Sequence, residues 1–109
     1  MGSPGRRLEL RKKFTDILGT TGQETTRTYF QPPSSVRMQY PAIVYKRNRI
    51  RNQFADNQVY LQDDEWEVTV IDEDPDSEIV RAVSQLPKCQ HNRHFVVDNL
   101  NHDVFILYY

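Results

Sequence analysis

Between Val104 and Tyr109 the chain sets six apolar residues in a row, and in an extended strand they sort onto both sides: Val104, Ile106 and Tyr108 on one, Phe105, Leu107 and Tyr109 on the other. A strand that is apolar on both faces needs cover on both. This strand therefore bears directly on how the other elements must be arranged.

Two segments carry helical periodicity. In Arg6 to Leu18 the residues Leu10, Phe14, Ile17 and Leu18 form one stripe, and Arg7, Glu9, Arg11, Lys12, Lys13 and Asp16 lie on the opposite side. Gly19 stands where a helix C-cap glycine belongs. Ile79, Val80, Val83 and Leu86 mark the second helix, entered through Asp76 and Ser77 and ended by Pro87. Extended patterns occupy Tyr40 to Tyr45, Val59 to Leu61 and Glu65 to Asp72, the last with Trp66, Val68 and Val70 on one face; the latter two segments are two strands or one long bent one. His94 to Asp98 and Asp103 to Tyr109 form a closing pair, joined through Asn99, Leu100, Asn101 and His102.

The order α-β-β-β-α-β-β predicts an α+β fold, a mainly antiparallel sheet of about five strands with two helices on one face. Two helices cover only one face. Phe105, Leu107 and Tyr109 are then expected on the other, in a patch of the kind that marks protein contacts.

The chain reads as one domain over residues 1–109, with a flexible start through residue 7 and a long loop over 20–39. That loop holds Pro32 and Pro33, with Tyr29 and Phe30 among its few apolar residues, and its length suits a contact arm. With 38% apolar residues the core is small, which makes burial against a neighbouring copy an expectation. The net charge of -1 excludes a strongly basic nucleic-acid binder, so partners must be sought in local patches. The single Cys89 cannot close an internal disulfide, and the chain lacks a run of about 18 apolar residues or a signal-peptide core, which together read as cytosolic in origin.

Motifs that would carry chemistry fall short. Asp72, Asp74, Asp76 and Glu78 alternate as in a calcium loop, but Ser77 replaces the turn glycine and Val83 the closing acid; acids ahead of a helix are what capping and the dipole favour. Cys89, His91 and His94 are zinc-type ligands at a spacing that fits no zinc module. Cys89 and its neighbours lack the glycine-rich oxyanion site a nucleophile needs, and the chain has no phosphate-cradling loop. The reading is therefore of a protein without catalytic, cofactor or metal residues. Lys46, Arg47, Arg49 and Arg51 form the one strong basic cluster, expected in an exposed hairpin at an interface, with something anionic facing it.

The segments Tyr40 to Tyr45, Asp56 to Leu61, Val68 to Asp72, Asp74 to Ser77 and His94 to Tyr109 resemble small bacteriophage tail proteins, of the tail completion or tail terminator family of long-tailed phages. The resemblance spans roughly Leu8 to Tyr109 and includes no catalytic motif. It implies a structural subunit that forms a hexameric ring on the head-proximal end of the tail tube, stops tube polymerisation and offers the head-tail joining face. The partners so implied are other copies of itself, the major tail tube protein and the head-tail connector protein, with DNA passing through the ring and neither a membrane nor a small-molecule substrate involved. The place of action would be the virion tail, after assembly in the host cytoplasm. A neighbouring connector or head-completion protein of the neck is the alternative within that resemblance, and a small metal- or nucleic-acid-binding module is the alternative outside it. The interface residues expected are Phe105, Leu107, Tyr109, Tyr29, Phe30, Lys46, Arg47, Arg49 and Arg51.

Overall fold

The computed structural model describes residues 4–23, 26–33, 35, 37–55 and 58–109; of residues 4, 5, 53–55 and 58–62 it describes the backbone alone. Helix α1 spans Pro4–Thr20 and begins on a proline, which suits a first helical turn whose N–H groups have no intrahelical acceptor. Residues 4–7, expected to be part of a flexible start, thus belong to the helix. Leu10, Phe14 and Leu18, at i, i+4 and i+8, are fully buried, and Ile17 is half-buried beside them. The helix runs one residue past the predicted glycine, and its left-handed cap lies three residues beyond it. Gly19 lies inside α1, and Gly22 takes the left-handed conformation at φ 82°. The Gln23 N–H donates to the Leu18 carbonyl at 2.7 Å and the Gly22 N–H to that of Gly19 at 3.1 Å, the paired bonds of a Schellman cap.

Five strands form one sheet in the order β1-β2-β3-β5-β4: β1 Thr28–Phe30, β2 Ala42–Ala55, β3 Gln58–Asp72, β4 Cys89–Val97 and β5 Leu100–Tyr108. All neighbours are antiparallel except β1, which runs parallel to β2 with Thr28 opposite Ile43 and Phe30 opposite Tyr45. The α+β reading and the element order agree with this sheet, but several strands differ from those expected. β1 lies inside the segment read as a loop over 20–39; Glu24, Thr25, Ser34 and Val36 of that loop are outside the described residues. The basic segment from Lys46 to Arg51 continues β2 and lies in the exposed β2–β3 hairpin, and of the two readings of Val59 to Leu61 and Glu65 to Asp72 the single long strand holds, as β3. Asp56 and Asn57, expected as a turn, also fall outside the described residues. At the other hairpin the turn is Asp98-Asn99, both at positive φ (53° and 61°), the signature of a type I′ turn; Leu100 to His102 belong to β5.

Helix α2 covers Glu78–Ser84, and its cap is Ser77, whose hydroxyl accepts from the Ile79 N–H at 3.2 Å. Ile79 and Val83 point inward; Val80 and Leu86 pack at the margin. Both helices lie on one face of the sheet. Their apolar stripes meet Ile43 and Tyr45 of β2, Trp66, Val68 and Val70 of β3, and Phe105 and Leu107 of β5. Phe14 meets the Tyr45 ring edge-on at 5.1 Å, and Trp66 stands 6.0 Å from the same ring. Each fully buried aliphatic or Phe side chain of this cluster contributes about 1.5–3 kcal/mol.

Candidate assembly surfaces

The basic cluster finds its counter-charges in its own chain. β2 and β3 pair in register from Ala42–Ile71 outward until Asn48, an extra residue between the pairs Arg47–Trp66 and Arg49–Glu65. This bulge shifts the alternation, so Arg49 and Arg51 share the helix-free face with Lys46 while Arg47 turns to the helix side. Lys46 then meets Glu67 at 3.6 Å, Arg49 meets Glu65 at 3.1 Å, and Arg51 grips Asp63 with two bonds of 2.8 and 2.7 Å. Arg47 approaches the buried Asp64 at 3.8 Å. The Arg51 guanidinium also lies 4.0 Å over the Tyr108 ring, and the Tyr108 hydroxyl donates to Glu65 at 3.3 Å. Arg51's bonds hold the Asp63 carboxyl below the usual carboxylate range. The expectation of an anion from outside is therefore corrected: the cluster is one side of a cross-strand ladder.

Phe105 and Leu107 are corrected as well. They are 0% and 2% exposed, because the helices settle on the face they occupy. Tyr109 shares that side; its hydroxyl donates to Glu9 of α1 at 2.8 Å and its ring lies under the Lys13 ammonium at 5.5 Å, so it docks on the helix. Burial, and then the Glu9 bond, push its pKa up. The helix-free face instead carries Val104, Ile106 and Tyr108. Of the two loop aromatics, Phe30 packs on Tyr45 at 5.2 Å with Arg7 over its ring, and the Tyr29 hydroxyl accepts from the Gln39 N–H. Both make contacts within this chain, and both line a groove at the β1 edge.

Three features remain outward-facing. The first is the far part of the β2–β3 hairpin. β5 leaves β3 after the Glu65–Tyr108 pair, with Asp64 and Tyr109 exchanging two backbone bonds of 2.9 and 3.0 Å, and beyond them β2 and β3 pair only with each other. The molecule measures 50 × 28 × 24 Å, a length that strands of 14 and 15 residues account for at roughly 3.3 Å per residue. The second is β4, an edge strand of nine residues whose end exposes Phe95, Val96 and Val97 at 38%, 57% and 49%. The third is a groove of about 410 Å³ at the opposite edge, between α1 and β1, lined by Arg7, Arg11, Thr28, Phe30, Pro32 and Tyr45 among others. Sequence reasoning missed this groove because β1 was unrecognised and its floor with it.

The Cys89, His91 and His94 group is dispersed into other contacts. The Cys89 thiol is half-buried against the core, and burial pushes its pKa up to about 11, so it stays protonated and poorly nucleophilic. His91 Nε2 lies 3.0 Å from Asp103 and His94 Nε2 3.2 Å from Asn101. Among the described residues no His, Cys, Asp and Glu side chains are grouped so as to hold a metal ion. The acidic run is a pair of successive turns: the Asp72 carboxylate accepts from the Asp74 N–H, and that of Asp74 from the Asp76 N–H, leading into the Ser77 cap. No described helix is long and apolar enough to cross a membrane. Neither a family model nor a curated protein matches the chain.

Proposed function

We propose that this protein is a structural virion subunit that forms a ring at the head-proximal end of a phage tail tube, ends tube growth and presents the joining face for the head. The reading starts from the resemblance carried by Val68 to Ser77 and His94 to Tyr109. The observation that supports it most is the shape of the sheet. It is open at both edges, β1 and β4, and one hairpin extends past the third strand that would otherwise support it. Isolated two-stranded ribbons are marginal in water, and open edges invite pairing with another chain. Such features suit a protomer whose final form is an assembly, in which neighbours cover edges and the hairpin reaches the tube or the connector.

The test is a phage that carries the gene for this protein, produced with and without it. Electron micrographs of lysates lacking the protein should show unjoined heads and tails of uncontrolled length, and adding the purified protein to such tails should restore joining. Tails of normal length that still fail to join heads would assign the protein to the neighbouring neck component. Normal virions without the protein would overturn the reading.

A further inference from the structure

We infer, resting on the ring reading above, that copies of this chain join head to tail by seating the acidic turn Glu73 to Asp76 of one copy in the α1–β1 groove of the next. The groove places two outward-facing cations, Arg7 and Arg11, beside an aromatic wall and a buried hydroxyl. Among the described residues neither Arg7 nor Arg11 makes an ion pair; Arg7 lies 5.1 Å over the Phe30 ring and both are exposed. The cations of β2 differ in this respect, since each has a carboxylate on β3.

A second observation makes the groove a receptor for an acceptor group. Thr28, which lines it, is 8% exposed, and its hydroxyl has no hydrogen-bond partner among the described residues. A buried hydroxyl left unpaired is costly, and a carboxylate entering beside it between two guanidinium groups would supply the missing acceptor. The aromatic wall of Phe30 and Tyr45 would exclude water from the same contact.

The occupant follows from charge and position. Glu73, Asp74 and Asp76 are exposed, and among the described residues none of them makes an ion pair. Asp76 lies in a hollow with His91 and His94 of β4, so the acidic turn sits over the β4 edge, whereas the groove sits at the β1 edge. The two surfaces are at opposite edges of one sheet and cannot meet within a single copy. A contact between unlike surfaces at opposite edges is heterologous, and repeated it closes a ring or grows a filament.

Two variants test this by sedimentation velocity: Arg7→Glu with Arg11→Glu, which reverses the groove, and Glu73→Lys with Asp76→Lys, which reverses the turn. All four side chains are exposed and outside the core, and circular dichroism checks that each variant folds. The wild type should self-associate, more weakly as salt rises from about 50 to 500 mM. Each variant alone should associate at least about tenfold more weakly. Their equimolar mixture should recover association, because each reversed surface then faces its complement. Wild-type association indifferent to both reversals overturns this interface and leaves the ring reading standing. Folded variants whose mixture stays monomeric overturn it too, as does a monomeric wild type at high concentration. A fluorescent single-stranded DNA oligonucleotide is the third arm: binding by the wild type that is lost on reversing Arg7 and Arg11, without any change in self-association, assigns the groove to nucleic acid instead. Recovered association in the mixture, with the protein absent from tails, supports the interface and overturns the tail reading alone.

Discussion

At the scale of single residues, the left-handed position after α1 and the strongest ion pair carry distinct, measurable consequences. Gly22 sits at φ 82° with no atom within 4 Å of where a Cβ would be, so Gly22→Ala meets no clash and its cost is purely conformational. Holding an L-residue there costs roughly 1–2 kcal/mol, and urea denaturation should show a loss of about that size. Gly19→Ala, inside the helix, should instead be stabilising by a few tenths to about 1 kcal/mol. The Arg51–Asp63 pair makes a prediction about pH. Arg51's hydrogen bonds hold the Asp63 pKa below its ordinary value, so the pair stabilises the fold fully above the usual carboxylate range and loses that contribution as pH falls through the lowered pKa. Thermal melts of wild type and Asp63→Asn should therefore differ most above the usual carboxylate range and converge as pH falls below it. A gap of constant size over that range would show that the carboxylate's charge contributes nothing.

At the scale of elements, the bulge at Asn48 decides which way the arginines face. Deleting Asn48 would restore simple alternation, turning Arg49 and Arg51 to the helix side and leaving Glu65 and Asp63 without their partners. Hydrogen exchange should then be faster in residues 49–52 and 62–65, while Leu10, Phe14 and Val68 in the core keep their protection. Unchanged exchange in the hairpin would mean that the register does not depend on the bulge. This element also shows what could be read from sequence and what could not. The stripes Leu10, Phe14, Leu18 and Trp66, Val68, Val70 are visible because burial on one face imposes a period, and both are core. The outer half of β2 was not, because its stability comes from pairing rather than from apolar alternation. The signal was present in mirror form: Lys46, Arg47, Arg49 and Arg51 before Asp56-Asn57, and Asp63, Asp64, Glu65 and Glu67 after it. β1 escaped for another reason. Three residues in a parallel pair carry neither a turn signature nor enough length for a period. Phe105 and Leu107 were recognised as one side of a two-faced strand, but strand periodicity alone does not say which side the helices will choose.

At the scale of the whole molecule, stability and projection are separable. Among the described residues, the core cluster lies in α1, in α2 and in the parts of β2, β3 and β5 beneath the helices; the most distal pairing of the three-stranded region is that of Asp64 with Tyr109. Beyond it the hairpin is backbone ladder without a third strand, from Asn52–Gln62 to Ala55–Gln58. Removing residues 53–61 and closing the chain with a two-residue type I′ turn should therefore leave the melting temperature within a few degrees, since every described core side chain is kept. The Arg51–Asp63 pair would stand next to the new turn and keep its geometry. If the hairpin is the part that reaches the tube or the connector, the shortened protein should still self-associate through the α1–β1 groove yet fail to join heads to tails in the assembly assay. Collapse of the fold on shortening would show that the outer ribbon nucleates the sheet, and full activity in joining would place the contact elsewhere, at the β4 edge that exposes Phe95, Val96 and Val97.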